Sequence, residues 1–308
     1  MADVTATMVK DLREKTGAGM MDCKQALGAT NGDMEAAVDW LRKKGLSKAA
    51  KKAGNIAAEG LIGVAARSGA GAVVEINSQT DFVARNEQFQ SMVARIASLA
   101  LDAGGDIDKL LKMPFPGSGN TIAGQVAALS GSIGEKLELR RTAHFWISPG
   151  VVSTYAHAQV APDLGRIGVL VSLKSSGDAT KLATLGRQIA MHVAAANPLA
   201  LTADKLDAAL IEREKAIFAD QARATSKPEN VIAKMVEGRL RKFFEEVVLL
   251  EQPFIIDNDK KVAAVVKEAE KDVGAPVSIE GFVRYALGEG IQKEETDFAA
   301  EVAAAAKN

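Results

Sequence analysis

The chain has 308 residues, 47% hydrophobic and 25% charged: length for about two domains, and an ordinary globular composition. Its 38 basic and 39 acidic residues leave a net charge of −1, so no bulk field draws in nucleic acid or an anionic membrane. One cysteine, Cys23, excludes an intrachain disulfide and fits a reducing cytosol, and no apolar run approaches the ~20 residues that span a bilayer. Met1 to Asp11 lacks the basic-then-apolar layout of a signal peptide, which points to a cytoplasmic protein.

Residues 5–45 predict three short helices. Met8 and Leu12 form the first stripe, and Gly17 stops it. Asp22 is placed to cap a second helix with Ala26 and Leu27, and Asp33 a third with Met34, Val38 and Leu41, closed by Gly45. Such a module has the size of a protein-binding unit. Lys43, Lys44, Lys48, Lys51 and Lys52 then mark a basic linker, read more simply as a solvated face than as an RNA contact.

Residues 60–77 predict a hairpin: Ile62 and Val64, a turn at Ser68–Gly71, then Val74 and Ile76. After it runs the polar connection Ser78-Gln79-Thr80-Asp81-Phe82-Val83-Ala84. Phe82 has two placements here. It stands outward beside Asp81 as an anchor for a partner's cleft, or it turns inward to open the next helix. That helix carries Phe89, Val93, Ile96 and Ala100. Residues 102–120, rich in Gly, Pro and Asp, read as a loop of no assigned role, and Ile122, Val126, Leu129 and Ile133 make a further helix.

The plan then recurs. Leu137 to Phe145 alternate, Val151 to His157 is extended, Arg166 to Val171 is a strand, and Leu182, Leu185, Ile189 and Val193 share a helix face. Gly63 and Gly168, inside strand patterns, mark close backbone approach. Residues 202–250 depart from the plan. Thr202 is placed to cap a helix with Leu206, Leu210 and Ile217, and Ser226-Lys227-Pro228-Glu229 opens a second, giving an antiparallel helical hairpin. Val277 to Leu287 return to sheet, and Glu295 to Lys307 form a last helix whose Thr296-Asp297-Phe298 repeats Thr80-Asp81-Phe82.

The fold class read from this order is α+β, with two related antiparallel-sheet-and-helix core subdomains. The boundaries are 1–54, 55–140, 141–201 with 250–288, the hairpin at 202–249, and 289–308. Chemistry is sparse. His144, His157 and His192 have no metal spacing, a lone thiol makes no zinc cluster, and neither a P-loop nor a dinucleotide fingerprint is present. Cys23 lacks a base and reads as core, as does His192, whereas His157 suits surface contact. No enzyme, cofactor or metal site is expected, and a protein-binding factor is.

Leu12-Arg13-Glu14-Lys15-Thr16-Gly17-Ala18-Gly19-Met20-Met21-Asp22-Cys23-Lys24 and Thr80-Asp81-Phe82-Val83-Ala84 carry a resemblance over nearly the whole chain. With Arg166–Val171, Ile189–Ala195, Lys234–Arg239, Gly288–Ile291 and Glu295–Ala300, they resemble the bacterial translation elongation factor Ts family. Ser78-Gln79 departs from the Cys-Glu or Cys-Gln common there, but the residues that follow are intact.

The resemblance implies exchange of GDP for GTP on elongation factor Tu (EF-Tu), without covalent chemistry. Thr80, Asp81, Phe82 and Val83 would reach toward the partner's Mg²⁺ site, and the factor would stay bound until GTP displaces it. It further implies a UBA-like N-terminal module that contacts the partner through Arg13, Met20 and Met21. Other contacts implied are His157 and, in the C-terminal helix, Phe298. The coiled-coil hairpin would support a homodimer or a two-to-two complex, with no direct nucleic-acid or membrane partner. The rival readings are an RNA- or ribosome-binding factor, using the basic linker with Arg140 and Arg141, and a UBA-type adaptor using residues 5–45 alone.

Overall fold

A computed structural model describes residues 4–44, 56–225 and 228–292. Three helices come first: α1 (Ala6–Thr16), α2 (Met20–Ala29) and α3 (Met34–Lys43). Thr5 caps α1 by accepting from the Met8 N–H, and Gly17 ends it in the left-handed conformation. Asp33 caps α3 through the Ala36 N–H at 3.0 Å. The expected Asp22 cap is corrected: the N-cap is Gly19, three residues earlier, and Asp22 lies in the first turn of α2, where the helix dipole favours an acid. Leu12, Cys23, Ala26, Leu27, Ala37 and Leu41 close a small core. Cys23 is fully buried there, which raises its thiol pKa and makes it inert packing. Gly45 and Lys48 to Lys52 lie outside the described residues.

The body is two stacked antiparallel sheets. In the first, β1 (Glu59–Arg67) and β2 (Ala70–Ser78) form the expected hairpin, with β3 (Glu138–Trp146) beside β2 and the short β5 (Leu164–Gly165) beside β1. In the second, β6 (Ile167–Lys174) is central, between β4 (Gly150–His157) and β9 (Ser278–Ala286). Residues 137–145, read above as opening the second half, therefore close the first sheet. Alternation showed a strand there but carries no information about its neighbour.

Each sheet has one helix on its outer face. α4 (Glu87–Ala103) lays Phe89, Val93, Ile96 and Ala100 on the first sheet, and α7 (Ala179–Ala196) lays Leu182, Leu185, Ile189 and Val193 on the second. Between the sheets lie Ile62, Val64, Val73, Val152, Ala156 and Leu170. A Cβ on Gly168 would meet Ile62 Cγ2 at 2.3 Å, so only glycine lets the sheets close at that point. The close approach expected at Gly63 holds too, against Val93 and Ala97 of α4.

Residues 102–120 are more ordered than a loop. Asp106 caps α5 (Ile107–Lys112) through the Lys109 N–H, Leu110 is fully buried, and Pro114 bridges Thr121 ahead of α6 (Ile122–Ile133). Glycine and proline flank that helix and masked its Ile107, Leu110, Leu111 pattern.

The helical hairpin is α8 (Ala208–Arg223) and α9 (Glu229–Val247). Asp207, not Thr202, caps α8, because residues 203–205 form a short 3-10 turn first. Ser226 and Lys227 of the expected capping box lie outside the described residues, and Pro228 precedes α9 without a side-chain cap. The two helices fully bury only Ala222 and Ile232. At their root Ala200, Leu206 and Val248 pack with Leu210, Phe243 and Phe244. Beyond it come β7 (Pro253–Phe254), β8 (Asp257–Lys261) and α10 (Val262–Val273).

Two buried polar nodes tie these parts together. His192 of α7 is fully buried, bonded to Gln252 Oε1 at 2.9 Å and accepting from the Ile255 N–H at Nδ1. Gln252 donates onward to the Glu246 carbonyl at 2.7 Å, so the node joins α7 to the hairpin root. Burial lowers the His192 pKa and keeps the ring neutral. The second node is Glu75, wholly buried on β2. It accepts from Arg140, Arg141, Asn77 and the Gly288 N–H just past β9. Burial opposes its ionisation, but those hydrogen bonds outweigh burial and hold its pKa below the usual carboxylate range. Arg140 and Arg141, counted above among RNA-contact candidates, are thus committed to an internal ion pair.

Candidate functional site

Strand β2 delivers the chain to the connection, and its last residue starts the turn: Ser78 Oγ donates to the Thr80 carbonyl at 2.9 Å. Residues Asp81–Arg85 then form one 3-10 turn. Val83 and Ala84 point into the first core, the Gln90 side chain donates to the Ala84 carbonyl at 2.8 Å, and Asn86 caps α4 through the Phe89 N–H. With its neighbours turned inward, Phe82 faces out and is 71% exposed. That settles its two placements in favour of the outward one. The physical reason is order: the core slots at this corner are filled by Val83 and, one turn into α4, by Phe89.

Asp81 is exposed beside it, with no ion-pair partner among the described residues. Thr80 is held from outside the segment. Glu135, just past the left-handed Gly134 that ends α6, accepts from the Thr80 N–H at 3.0 Å and from Thr80 Oγ1 at 2.7 Å. The Glu135 backbone is fixed in turn by Ser130 Oγ, which donates to its carbonyl at 2.6 Å. An aromatic ring and an uncompensated anion thus project from a turn whose flanks are bonded or buried. Such a feature inserts into a cleft with little loss of conformational entropy.

The other expected contact residues are spread over the molecule. Arg13 and Met20 line an open cleft of about 780 Å³ with Lys10, Gly17, Gly131 and Ser132. The last two belong to α6, so the three-helix module meets the same helix end that holds Thr80. Met20 and Met21, neighbours at the start of α2, are 62% and 76% exposed. His157 is exposed at the end of β4, on the other sheet, with Tyr155 Oη at 3.2 Å from its Nδ1. Val83 is buried, and it anchors the turn from within. Phe298 lies outside the described residues. Glu135 was missed from sequence, since only the folded chain brings it to Thr80 across 55 residues.

The family model for elongation factor TS matches residues 79–289, beginning at the turn itself. The chain is also 61% identical over 307 residues to elongation factor Ts of Parvibaculum lavamentivorans, covering 100% of both chains. The factor of the same name from Rhodospirillum centenum is 59% identical, over 99% of this chain and all of its own, and that of Rhodospirillum rubrum 58%, over 100% of both. The chain belongs to the elongation factor Ts family. It is therefore a translation elongation factor. The match covers the three-helix module and the C-terminal segment as well as the body, because these relatives align from end to end. Among the described residues no helix is long and apolar enough to cross a membrane.

Proposed function

We propose that this family member binds elongation factor Tu in its GDP state and speeds replacement of GDP by GTP without making or breaking a covalent bond. The observation that carries the reading is the Asp81–Phe82 pair, an exposed ring beside an unpaired carboxylate on a braced turn. GDP on the partner is held by phosphate contacts and by Mg²⁺, which demands near-octahedral coordination. A ring wedged beside that site moves the supporting side chains, and the carboxylate competes for the metal's charge. The metal leaves first and the diphosphate follows. Linkage makes the effect reciprocal: what weakens nucleotide binding is itself displaced when nucleotide returns.

Supporting contacts come from further groups along the chain. The three-helix module, read as UBA-like, offers Arg13, Met20 and Met21, the second sheet offers His157, and the C-terminal segment offers Phe298. The hairpin at 202–249 serves self-association as a coiled coil. Release of labelled GDP from elongation factor Tu, with Mg²⁺ and with chelator, tests the metal step. The acceleration from this chain is expected to be smaller once chelator has removed the metal. An equal factor in both conditions would contradict metal displacement.

A further inference from the structure

Four things hold the exchange turn, and they differ in kind. Burial of Val83 and Ala84 is apolar and non-directional, so it fixes depth better than angle. Gln90 and Asn86 act within a few residues, on the exit side. On the entry side Ser78 Oγ holds the Thr80 carbonyl from within the segment, and Glu135 acts from a distant element, through two bonds to one residue. A carboxylate that accepts from an N–H and an O–H of the same residue sets orientation as well as position.

We propose that Glu135 is a positioning residue for the Asp81–Phe82 turn, and that through it the C-terminal end of α6 sets the direction in which Phe82 leaves the surface. This rests on the reading of the turn as the exchange element. Both Glu135 oxygens accept from Thr80, so the role assigned to the side chain is exerted through the turn. Its own placement is built in by the left-handed Gly134 and the Ser130 bond. Without Glu135 the Thr80 N–H and hydroxyl lose their acceptors, and only the Ser78 bond to the Thr80 carbonyl still restrains rotation about Gln79–Thr80. Phe82 lies two residues on, at most about 7 Å along the chain, and its ring stands further out still, so a small rotation there becomes a displacement of the ring by an ångström or more. Misplacement of about 1 Å is enough to cost a positioned group up to about a hundredfold in rate.

The same helix end carries the three-helix module. A Cβ on Gly131 would stand 2.9 Å from the Lys15 carbonyl of α1, so α1 and α6 meet there with no room between them. The module's exposed Met20 and the exposed Phe82 are therefore both referred to one helix terminus, within a few residues of sequence. Glu135 is the link that makes the two surfaces a single rigid template.

The test is a double-mutant cycle on the full-length protein, with amide hydrogen exchange as an independent readout. Glu135→Ala is expected to slow the saturated rate of GDP release about tenfold and to speed exchange of the Thr80 amide by at least about tenfold. Glu135→Gln, which keeps one acceptor and the shape, is expected to fall between wild type and Glu135→Ala in both. In a Phe82→Ala background, Glu135→Ala is expected to add less than about twofold, because the group it positions is gone. Fully multiplicative effects of Glu135→Ala and Phe82→Ala would overturn the proposal, as would an unchanged Thr80 amide. If Phe82→Ala alone leaves GDP release untouched, it is the exchange reading that fails. The amide measurement then still decides whether Glu135 holds the turn.

Discussion

Phe82 and Phe89 are seven residues apart, in the same chemistry and opposite surroundings. Phe89 is fully buried against the first sheet, and Phe82 is 71% exposed. Phe89→Ala should therefore cost ~3–5 kcal/mol of folding stability, whereas Phe82→Ala should cost less than ~0.5 kcal/mol. Urea unfolding of the two variants checks both figures, and a large loss for Phe82→Ala would return that ring to the core. His192 gives a pH dependence whose sign follows from its burial. Its folded pKa is lowered, so above the unfolded value of about 6.5 both states are neutral and the node with Gln252 is whole. Below it the unfolded chain takes a proton that the native ring refuses, and stability is lost as pH falls toward the folded value. The urea midpoint of wild type should then drop more between about pH 7.5 and about pH 5.5 than that of His192→Gln. Burial lowers the His144 pKa as well, but that residue contributes equally to both proteins, so equal drops would deny linkage at His192.

At the scale of elements, the helical hairpin is the most separable part. Along α8 and α9 only Ala222 and Ile232 are fully buried, while the root packs Leu206, Leu210, Phe243, Phe244 and Val248 into one cluster. Leu249, at the edge of the hairpin range read from sequence, belongs to the second core. Deleting residues 212–241 and closing the gap with a short Gly/Ser linker should leave the melting temperature of the body nearly unchanged. If the shortened chain fails to fold, as judged by circular dichroism and melting, then the hairpin is a structural member of the body. The sequence reading located this hairpin because its stripes have helical period and lie between strands. It misplaced the start because Thr202 and Asp207 are both good caps, and only packing of Leu206 at the root selects the second. The same limit hid α5, whose six residues are too few for periodicity to outweigh the glycines and prolines around them.

Across the whole molecule, the two sheets are joined by apolar packing and by a buried charged clasp. Glu75 receives both arginines of β3 and the Gly288 N–H beyond β9, so a single carboxylate connects the first sheet to the end of the second. Glu75→Gln leaves two positive charges facing a neutral amide. The expected loss is ~3 kcal/mol, the low end for a broken buried pair, since both arginine side chains keep 27% exposure to water. Urea unfolding giving less than ~1 kcal/mol would mean the Glu75 clasp adds little to the packing of the sheets.

None of this node was legible beforehand. Glu75 sits in an alternating strand where a solvent-facing acid is the ordinary reading, and its arginine and Gly288 partners lie 65 to 213 residues away. The Asp81–Phe82 turn was legible in its letters. Thr80-Asp81-Phe82 between a strand and a helix already marks a polar connection with a misplaced aromatic. What the letters left open was whether Phe82 faces in or out, because either choice satisfies the local pattern. Competition from Val83 and Phe89 for the same core decides it.

The most direct test is stopped-flow release of labelled GDP from elongation factor Tu, driven by saturating wild-type chain or by Phe82→Ala. Wild type should accelerate release strongly, and Phe82→Ala should slow that acceleration by about ten- to a hundredfold, the range of a ~2 kcal/mol interface anchor, while remaining as well folded. A Phe82→Ala protein that drives release as fast as wild type would contradict the assignment of exchange to this turn.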